Sequence, residues 1–295
     1  MKKFLLHIFS ILALVFLLLF LCDLFYSKIY RDGIPRNKLH YIINLKKESF
    51  DVVFLGSSRV ANHIDTDLFN KLSNKRTINL GVEGAGLNDN LLQLRLLLAN
   101  NQVKAVFLQI DSNLETTESS NISTAEAMPF INNPIVTAHT KKYNPNFDGL
   151  YYIPFYRYAI NDAKIGFREL FFSFLNKKPG IDPSVGYTPK FGNAIPNTPL
   201  VIMGEKTILH GNSVLNEIRL LCKQKNTKLV LFITPFCSKI NADPYIQKMK
   251  KLTPDLIDLS KGYPDAMFYN CGHLNDEGAK KLTRELFEST RNQLE

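Results

Sequence analysis

The chain lacks the short motifs by which most metal-binding, nucleotide-binding and nucleic-acid-binding proteins are recognised. Its four cysteines include no C-x-x-C pair of the metal-binding type. It has no Gly-Lys-Ser/Thr phosphate loop, and Gly81, Gly84 and Gly86 do not have the spacing of a dinucleotide-binding fingerprint. An arginine-rich stripe, a zinc-finger spacing and a helix-turn-helix signature are also absent from the sequence. We therefore expect no metal ion, no cofactor and no nucleic-acid partner.

The sequence does have one long apolar run, near its N-terminus. Two lysines precede a stretch from Phe4 to Phe25 that carries few polar residues. At 1.5 Å per residue, about 22 helical residues reach roughly 33 Å, which is enough to cross a bilayer core. No small-x-small cleavage site follows the run, and Leu21 is bulky where a lipidated Cys22 would usually follow a small residue. We therefore predict an uncleaved transmembrane anchor that contacts the lipid bilayer through residues 4–25.

The charges around this run give conflicting indications of topology. Two lysines precede it, whereas the cations that follow it are Lys28, Arg31, Arg36 and Lys38. The positive-inside rule alone would leave the main domain in the cytoplasm, but large domains are translocated with little regard for such charges. A short basic N-terminus is also typical of a start-transfer anchor. We expect a single-pass membrane protein whose main domain is extracytoplasmic, either periplasmic or extracellular.

The chain is basic, with a formal net charge of +9. This charge favours contact with anionic lipid headgroups or anionic envelope polymers. The simpler interpretation is a solvated surface rich in lysine, and the sequence leaves both open.

Strand-like and helix-like segments alternate on both sides of a long central region. Strands are predicted at 51–55, 77–80, 104–110, 228–234 and 256–259, and helices at 87–101, 212–225, 244–252 and from 275 onward. This alternation predicts an α/β fold in which a doubly wound, mainly parallel sheet has helices on both faces. We divide the chain into a cytoplasmic start plus transmembrane anchor at 1–27, a polar stalk at 28–49 and one domain at 50–295.

The central region, about residues 114–210, is rich in proline, asparagine, glycine and aromatic residues. It is too long for a plain loop. We interpret it as an insertion with short helices, one of them at 160–175, that lies over the C-terminal edge of the sheet. Its rings either stack on the sugars of a bound glycan or form a small core of the insertion itself. These rings are Phe130, Tyr143, Phe147, Tyr151, Tyr152, Phe155, Tyr156 and Tyr158.

Two motifs at the predicted edge of the sheet indicate nucleophilic catalysis. Ser58 ends a Gly-Ser-Ser motif directly after the first strand, and His273 ends an Asn-Cys-Gly-His motif at the start of the last helix. Because the C-terminal ends of parallel strands meet at one edge, this serine and this histidine can come together. A serine hydroxyl is too weakly acidic to attack a carbonyl without an adjacent base. His273 is the candidate base.

Four blocks of the sequence resemble those of the SGNH, or GDSL-like, hydrolase superfamily, which is named for a serine, a glycine, an asparagine and a histidine. In order, these residues fall on Ser58, Gly84, Asn113 and His273. The Gly-Ser-Ser form of the first block is similar to that of membrane-anchored envelope acyl-transfer proteins, including the D-alanylation proteins of teichoic acid synthesis. The resemblance covers about residues 50–113 and 225–290, and it implies a flavodoxin-like three-layer sandwich.

The resemblance also implies roles for these residues. Ser58 would form an acyl-enzyme with His273 as the base. The backbone N–H groups of Ser58 and Gly84, with the amide of Asn113, would form the oxyanion hole. The implied protein is an esterase or O-acyltransferase, most simply for acetyl groups, that acts on a cell-envelope glycan or a related acylated polymer. The alternative is an inactive envelope module that binds glycan or a protein partner in polysaccharide assembly.

The sequence departs from the family pattern at three positions. Ser57 and Asn270 stand where the family carries aspartates, and Asp111 replaces the glycine of the third block. An aspartate before the histidine would stabilise the imidazolium formed during attack, whereas an asparagine only orients the ring. Three interpretations stay open. The site is a Ser-His dyad oriented by Asn270 or a carbonyl, it takes an acid from Asp265 or Asp276, or it has lost catalysis.

Other side chains near the two motifs have open roles. Arg59 could bind an anionic group of the substrate or make an ordinary surface contact at a helix start. His63 follows the nucleophile turn and could approach the site, although a role at the surface or as a helix cap is expected. Cys237 and Cys271 could form a disulfide near the site in an oxidising compartment, although we expect free thiols.

Overall fold

The computed structural model describes residues 1–110, 119–195, 198–203 and 212–293. A five-stranded parallel sheet with the order β2-β1-β3-β5-β7 forms its centre, while β4 and β6 make a short parallel pair and β8 and β9 an antiparallel hairpin. The strands are β1 Ser49–Leu55, β2 Thr77–Asn79, β3 Gln102–Gln109, β4 Val201–Ile202, β5 Lys228–Ile233, β6 Ile240–Asn241, β7 Ile257–Asp258, β8 Phe268–Asn270 and β9 His273–Leu274.

The helices lie before, between and after these strands. They are α1 Lys2–Asp32, α2 Lys38–Asn44, α3 Ser58–His63, α4 Thr66–Ser73, α5 Leu87–Asn100, α6 Asn121–Ala127, α7 Pro134–Tyr143, α8 Phe147–Tyr152, α9 Tyr156–Ala159, α10 Asp162–Ile165, α11 Phe167–Phe174, α12 Ser213–Gln224, α13 Asp243–Leu252 and α14 Asp276–Thr290. Short 3₁₀ turns cover Met128–Phe130, Asp265–Met267 and Arg291–Gln293.

The central strands are apolar on both faces because each face packs against helices. Successive side chains of a strand point to opposite faces. In β1, Val53 and Leu55 therefore join a core that includes residues of α2, α5 and α12. Val52 and Phe54 join a second core with residues of α4 and α14. The expected α/β class, with a mostly parallel central sheet, is confirmed.

The loops after β1 and β2 pass close to each other at the C-terminal edge of the sheet. A Cβ atom at Gly81 would lie 2.4 Å from the backbone nitrogen of Ala61 and 2.8 Å from the carbonyl oxygen of Ser57, so glycine is required there. Asn79 holds the same loop, because its side-chain amide donates to the carbonyl of Val60 at 2.8 Å. These contacts fix the position of the turn that begins α3.

The N-terminal helix α1 is long and apolar enough to cross a membrane. It continues without a break to Asp32. The Tyr30 hydroxyl donates to the carbonyl of Ile165, at 2.6 Å, in the insertion. Leu39 and Ile42 of α2 are buried in the core. The predicted stalk at 28–49 is therefore wrong, because this stretch contains the end of α1 and all of α2, and both pack against the domain.

The part of the insertion expected to be one helix at 160–175 is divided into shorter helices. Gly166 has an extended backbone between α10 and α11, which interrupts the helix. The aromatic rings nearby pack on one another and on α1, with Phe155 4.8 Å from Tyr26 and Tyr158 6.1 Å from Tyr30 between ring centroids. This packing favours a core role for Phe155 and Tyr158 over stacking on a glycan.

Candidate active site

The hairpin of β8 and β9 presents Asn270 and His273 side by side. The two residues are paired across a two-residue turn formed by Cys271 and Gly272. Facing positions of an antiparallel pair have neighbouring side chains, which explains how residues three apart in sequence meet. His273 belongs to β9 and not to the last helix, which begins at Asp276.

Ser58 lies at the start of α3, directly after the turn that follows β1. Ser57 caps this helix, because its hydroxyl accepts from the backbone N–H of Arg59 at 3.2 Å. The Ser58 Oγ atom is 2.8 Å from Nε2 of His273. The structure thus brings together the predicted nucleophile and the predicted base, which are separated by more than 200 positions in the sequence.

Asn270 fixes the tautomer of His273. Its Oδ1 atom accepts the backbone N–H of Gly272 at 3.0 Å, so the atom that faces the ring is the oxygen. The same oxygen is 2.9 Å from Nδ1 of His273, so Nδ1 carries the proton. Nε2 is then left with its lone pair towards Ser58. This is the arrangement that a general base requires.

The two aspartates considered as alternative acids are bonded elsewhere. Asp265 accepts hydrogen bonds from the backbone N–H and the hydroxyl of Ser238, at 2.8 and 2.6 Å. Asp276 accepts from Lys280 at 2.6 Å and from the hydroxyl of Tyr187 at 3.2 Å. The geometry favours Asn270 as the group that orients the histidine.

The geometry supports the three expected oxyanion donors to different degrees. The N–H of Ser58 lies in the first turn of α3, where helix geometry leaves N–H groups without an intrahelical acceptor. Gly84 has a positive φ of +70° and lies in an exposed turn. Of the described residues in this loop, Val82 and Glu83 line the cleft, whereas Gly84 does not. Asn113 lies outside the described residues.

Arg59 does not point into the cleft, so its expected role in binding substrate is wrong. Its side chain is 6% exposed. The guanidinium donates to the carbonyl of Thr234 at 2.8 Å and to that of Pro235, and it stacks on the ring of Phe236 at 3.7 Å from the centroid. Arg59 therefore joins the start of α3 to the end of β5.

Replacing Arg59 with methionine is expected to lower the free energy of unfolding by about 2–3 kcal/mol, because two buried carbonyls lose a charged donor. The unfolding transition in urea measures this loss. KM for an ester substrate should stay close to the wild-type value. A raised KM with unchanged stability would contradict this structural role.

Two polar residues support the site in roles that the sequence did not indicate. His63, expected at the surface or as a cap, is fully buried, and its Nε2 accepts the backbone N–H of Leu274 at 3.0 Å. Burial, aided by the charge of Arg59, lowers the pKa of His63 well below its usual value. Gln109 accepts from the hydroxyl of Ser57 at 3.1 Å. The sequence feature that could have indicated the role of Gln109 is a glutamine at the end of an apolar strand.

Cys237 and Cys271 form a disulfide, so the expectation of free thiols is wrong for this pair. The backbone N–H of Cys237 also donates to the carbonyl of Cys271 at 3.3 Å. Cys271 lies in the turn between Asn270 and His273, so the crosslink ties this hairpin to the loop after β5. Cys22 and Cys222 are free.

A cleft of about 390 Å³ opens in front of Ser58. Its walls include Glu126 of α6, Lys38 of α2, and Thr188 and Lys190 of the insertion. Burial lowers the pKa of Lys38 to about 7, and burial raises the pKa of Glu126 to about 7. Among the described residues, no group of three or more His, Cys, Asp or Glu side chains is arranged to hold a metal ion.

Two comparisons with known proteins gave no match. No protein-family model matches the chain, and no curated protein is similar to it. Function is therefore inferred from the geometry around Ser58 and His273.

Proposed function

We propose that the protein is an SGNH-like serine esterase or O-acyltransferase that acts on a cell-envelope glycan or a related acylated polymer. The observation that carries this proposal is the chain of contacts from Ser58 Oγ to His273 Nε2, and from His273 Nδ1 to Asn270 Oδ1, at 2.8 and 2.9 Å. A nucleophile that contacts a base, which in turn contacts an orienting group, is the arrangement expected for acyl transfer.

The position of the site in the fold supports the same proposal. The strand order is that of flavodoxin-like sheets, and the direction of winding reverses between β1 and β3. Ligands of open α/β sheets bind at the C-terminal ends of the strands beside such a reversal. Ser58 follows the end of β1, and a cleft of about 390 Å³ is large enough for a sugar residue and a small acyl group.

The proposed reaction proceeds through an acyl-enzyme. His273 Nε2 takes the proton of Ser58 as Oγ bonds to the ester carbonyl carbon. The tetrahedral intermediate collapses when the ester C–O bond breaks, and the leaving alcohol takes the proton from His273. Water or a sugar hydroxyl then attacks the acyl-enzyme as His273 takes its proton. The bond between the acyl carbon and Ser58 Oγ breaks, and Oγ takes the proton back from His273. Hydrolysis and transfer differ only in this last acceptor.

We further propose that α1 anchors the chain in a membrane and that the domain is extracytoplasmic. The disulfide supports an oxidising compartment. Large domains are translocated with little regard for flanking charges, so the cations that follow α1 do not oppose this topology.

One observation favours a second candidate, a binding module that has lost catalysis. Asn270 carries no charge, so an imidazolium at His273 would lack the stabilisation that an aspartate provides. In that case the cleft would hold a glycan or a partner protein without acyl transfer. The two candidates differ in whether Ser58 is reactive.

The test is covalent labelling of the full-length protein in detergent by an activated serine-directed phosphonate. The proposal expects one adduct by intact mass, located at Ser58 by peptide mapping, with no adduct on a Ser58→Ala variant. If the wild-type protein stays unlabelled while Asn270→Asp reacts, the enzyme proposal fails and the binding module is supported.

Asn270→Asp is expected to raise turnover about tenfold. The correct tautomer is already set in the wild type, so only the missing charge is gained. A hydrogen bond to a charged partner exceeds a neutral one by about 1.4 kcal/mol, which corresponds to a factor of about ten in rate. Initial rates with an activated acetyl ester measure this change. Asn270→Leu, which has a similar volume, should lower the rate, and an unchanged or lower rate in Asn270→Asp would contradict the prediction.

A further inference from the structure

The insertion carries a group of large apolar side chains that are exposed to solvent. Their exposed fractions lie between 48% and 69%. We call this group the apolar rim; it consists of Tyr152, Ile153, Ile160, Phe167, Phe171 and Phe174. Large apolar side chains exposed within one short part of the chain, residues 152–174, indicate a surface that contacts a membrane or another molecule, unlike the scattered apolar residues of ordinary surfaces.

One end of the apolar rim lies beside α1 where its apolar run finishes. The carboxylate of Asp23 accepts the backbone N–H of Phe155 at 2.9 Å, two residues after Ile153. Asp23 also forms a buried ion pair with Arg157 at 2.6 Å. Tyr152, which is 67% exposed, therefore lies near the level at which α1 would leave the hydrocarbon core.

The other end of the apolar rim lies beside the C-terminal end of α1, beyond the apolar run of that helix. The Tyr30 hydroxyl donates to the carbonyl of Ile165, two residues before Phe167. A Cβ atom at Gly33 would lie 3.1 Å from the carbonyl oxygen of Ser173, so α11 packs directly on the end of α1. Within α11, Leu170 and Ser173 are buried and face the core, while the phenylalanines of the apolar rim are exposed.

The depth of each part of the apolar rim in the bilayer depends on the position along α1 at which it packs. Ten helical residues separate Asp23 from Gly33, which corresponds to about 15 Å. The headgroup layer on one side of a bilayer is about 5–8 Å thick. The Tyr152 end therefore lies within this layer, and contact is expected to weaken towards Phe174.

Exposed cations accompany the apolar rim. The side chains of Lys28 and Arg168 are 75% and 77% exposed. Lys28 pairs with Asp32 at 2.5 Å and Arg168 with Glu169 at 3.6 Å, so these carboxylates offset part of their attraction to anionic headgroups. Apolar side chains with neighbouring cations are the composition that binds the interface of an anionic membrane, since the rings enter the acyl boundary and the cations meet the headgroups.

We propose that the Tyr152 end of the apolar rim is a second membrane-contact surface, which rests in the headgroup layer of the leaflet from which α1 emerges. This inference depends on the proposed role of α1 as a membrane anchor. Because Arg36 in the cleft wall pairs with Glu169 of α11, the same contact holds the cleft at a fixed orientation to the membrane.

The sequence contains no tryptophan, so single tryptophans report on chosen positions. The full-length protein would be reconstituted in two sets of phosphatidylcholine and phosphatidylglycerol vesicles. The acyl chains are brominated close to the glycerol to test the rim positions, and near the terminal methyl to test Leu14→Trp. Tyr152→Trp and Phe167→Trp report on the apolar rim, and Leu14→Trp reports on the middle of α1. Leu72→Trp is the control, since it is 37% exposed on α4, on the opposite side of the sheet from Tyr30.

The proposal expects Tyr152→Trp to lose about half of its emission in brominated vesicles, with a smaller loss for Phe167→Trp. Leu14→Trp should also be quenched, and Leu72→Trp should be unaffected. If both rim positions match Leu72→Trp while Leu14→Trp is quenched, the anchor stands and the membrane-contact surface is overturned. If Leu14→Trp is not quenched, the anchor and the surface both fail.

Discussion

Replacing Ser58 with alanine is expected to reduce ester turnover by about 1000-fold or more, because no acyl-enzyme can form without the nucleophile. Ser58 Oγ is the atom that contacts His273, and the substitution removes only that oxygen. Turnover of an activated acetyl ester by the full-length protein in detergent measures the loss. His273→Ala should lose a similar factor, and the double variant should be little worse, since the two groups act as one unit.

Ser57→Ala is the matched comparison for this prediction. Its hydroxyl caps α3 and contacts Gln109, so its loss should cost about 1 kcal/mol of stability and leave turnover within a few-fold of wild type. Turnover that survives in Ser58→Ala but disappears in Ser57→Ala would show that the neighbouring serine is the nucleophile. Turnover that survives in both would remove the serine mechanism altogether.

Breaking the disulfide between Cys237 and Cys271 is expected to destabilise the protein by about 3–4 kcal/mol. The crosslink closes a loop with a sequence separation of 34, and its removal restores conformational freedom to the unfolded chain. The variant with both cysteines replaced by serine should unfold at lower urea concentration than wild type. Its turnover should fall as well, because the hairpin that holds Asn270 and His273 loses a tether.

Treatment with a reductant separates this effect from the substitutions themselves. Reduced wild-type protein should match the double serine variant in stability. Cys222→Ser, which changes a free buried cysteine, should keep the sensitivity of the wild type to reductant. A wild-type protein whose unfolding midpoint is the same with and without reductant would contradict the prediction.

Local patterns in the sequence were sufficient for most of the secondary structure around the site. The strand predicted at 104–110 is observed at Gln102–Gln109, and the helix predicted at 212–225 is observed at Ser213–Gln224. The strand is a continuous apolar run and the helix is buried on a regular period, and the order of apolar residues records both patterns directly. The same patterns placed Ser58 directly after the first strand, where it lies. They placed His273 at the start of the last helix, whereas it belongs to β9 of a hairpin that was not predicted.

Side chains whose roles depend on distant partners were not predictable in this way. Arg59 follows a serine at a helix start, which indicates exposure, yet it is buried against carbonyls about 175 positions away. The predicted stalk is polar in composition, but Leu39 and Ile42 are covered by the domain. Whether Cys237 and Cys271 form a disulfide likewise depended on whether their two loops meet.

The sequence by itself determined the alternation of strands and helices, the long apolar helix and the order of the candidate catalytic residues along the chain. Only the tertiary structure decided which groups touch: that Asn270 turns its oxygen to His273, that Arg59 is buried, and that the insertion packs on α1. Periodicity depends on neighbours in the chain, whereas these contacts join segments far apart in sequence. Their geometry follows from how the layers pack, which no local pattern records.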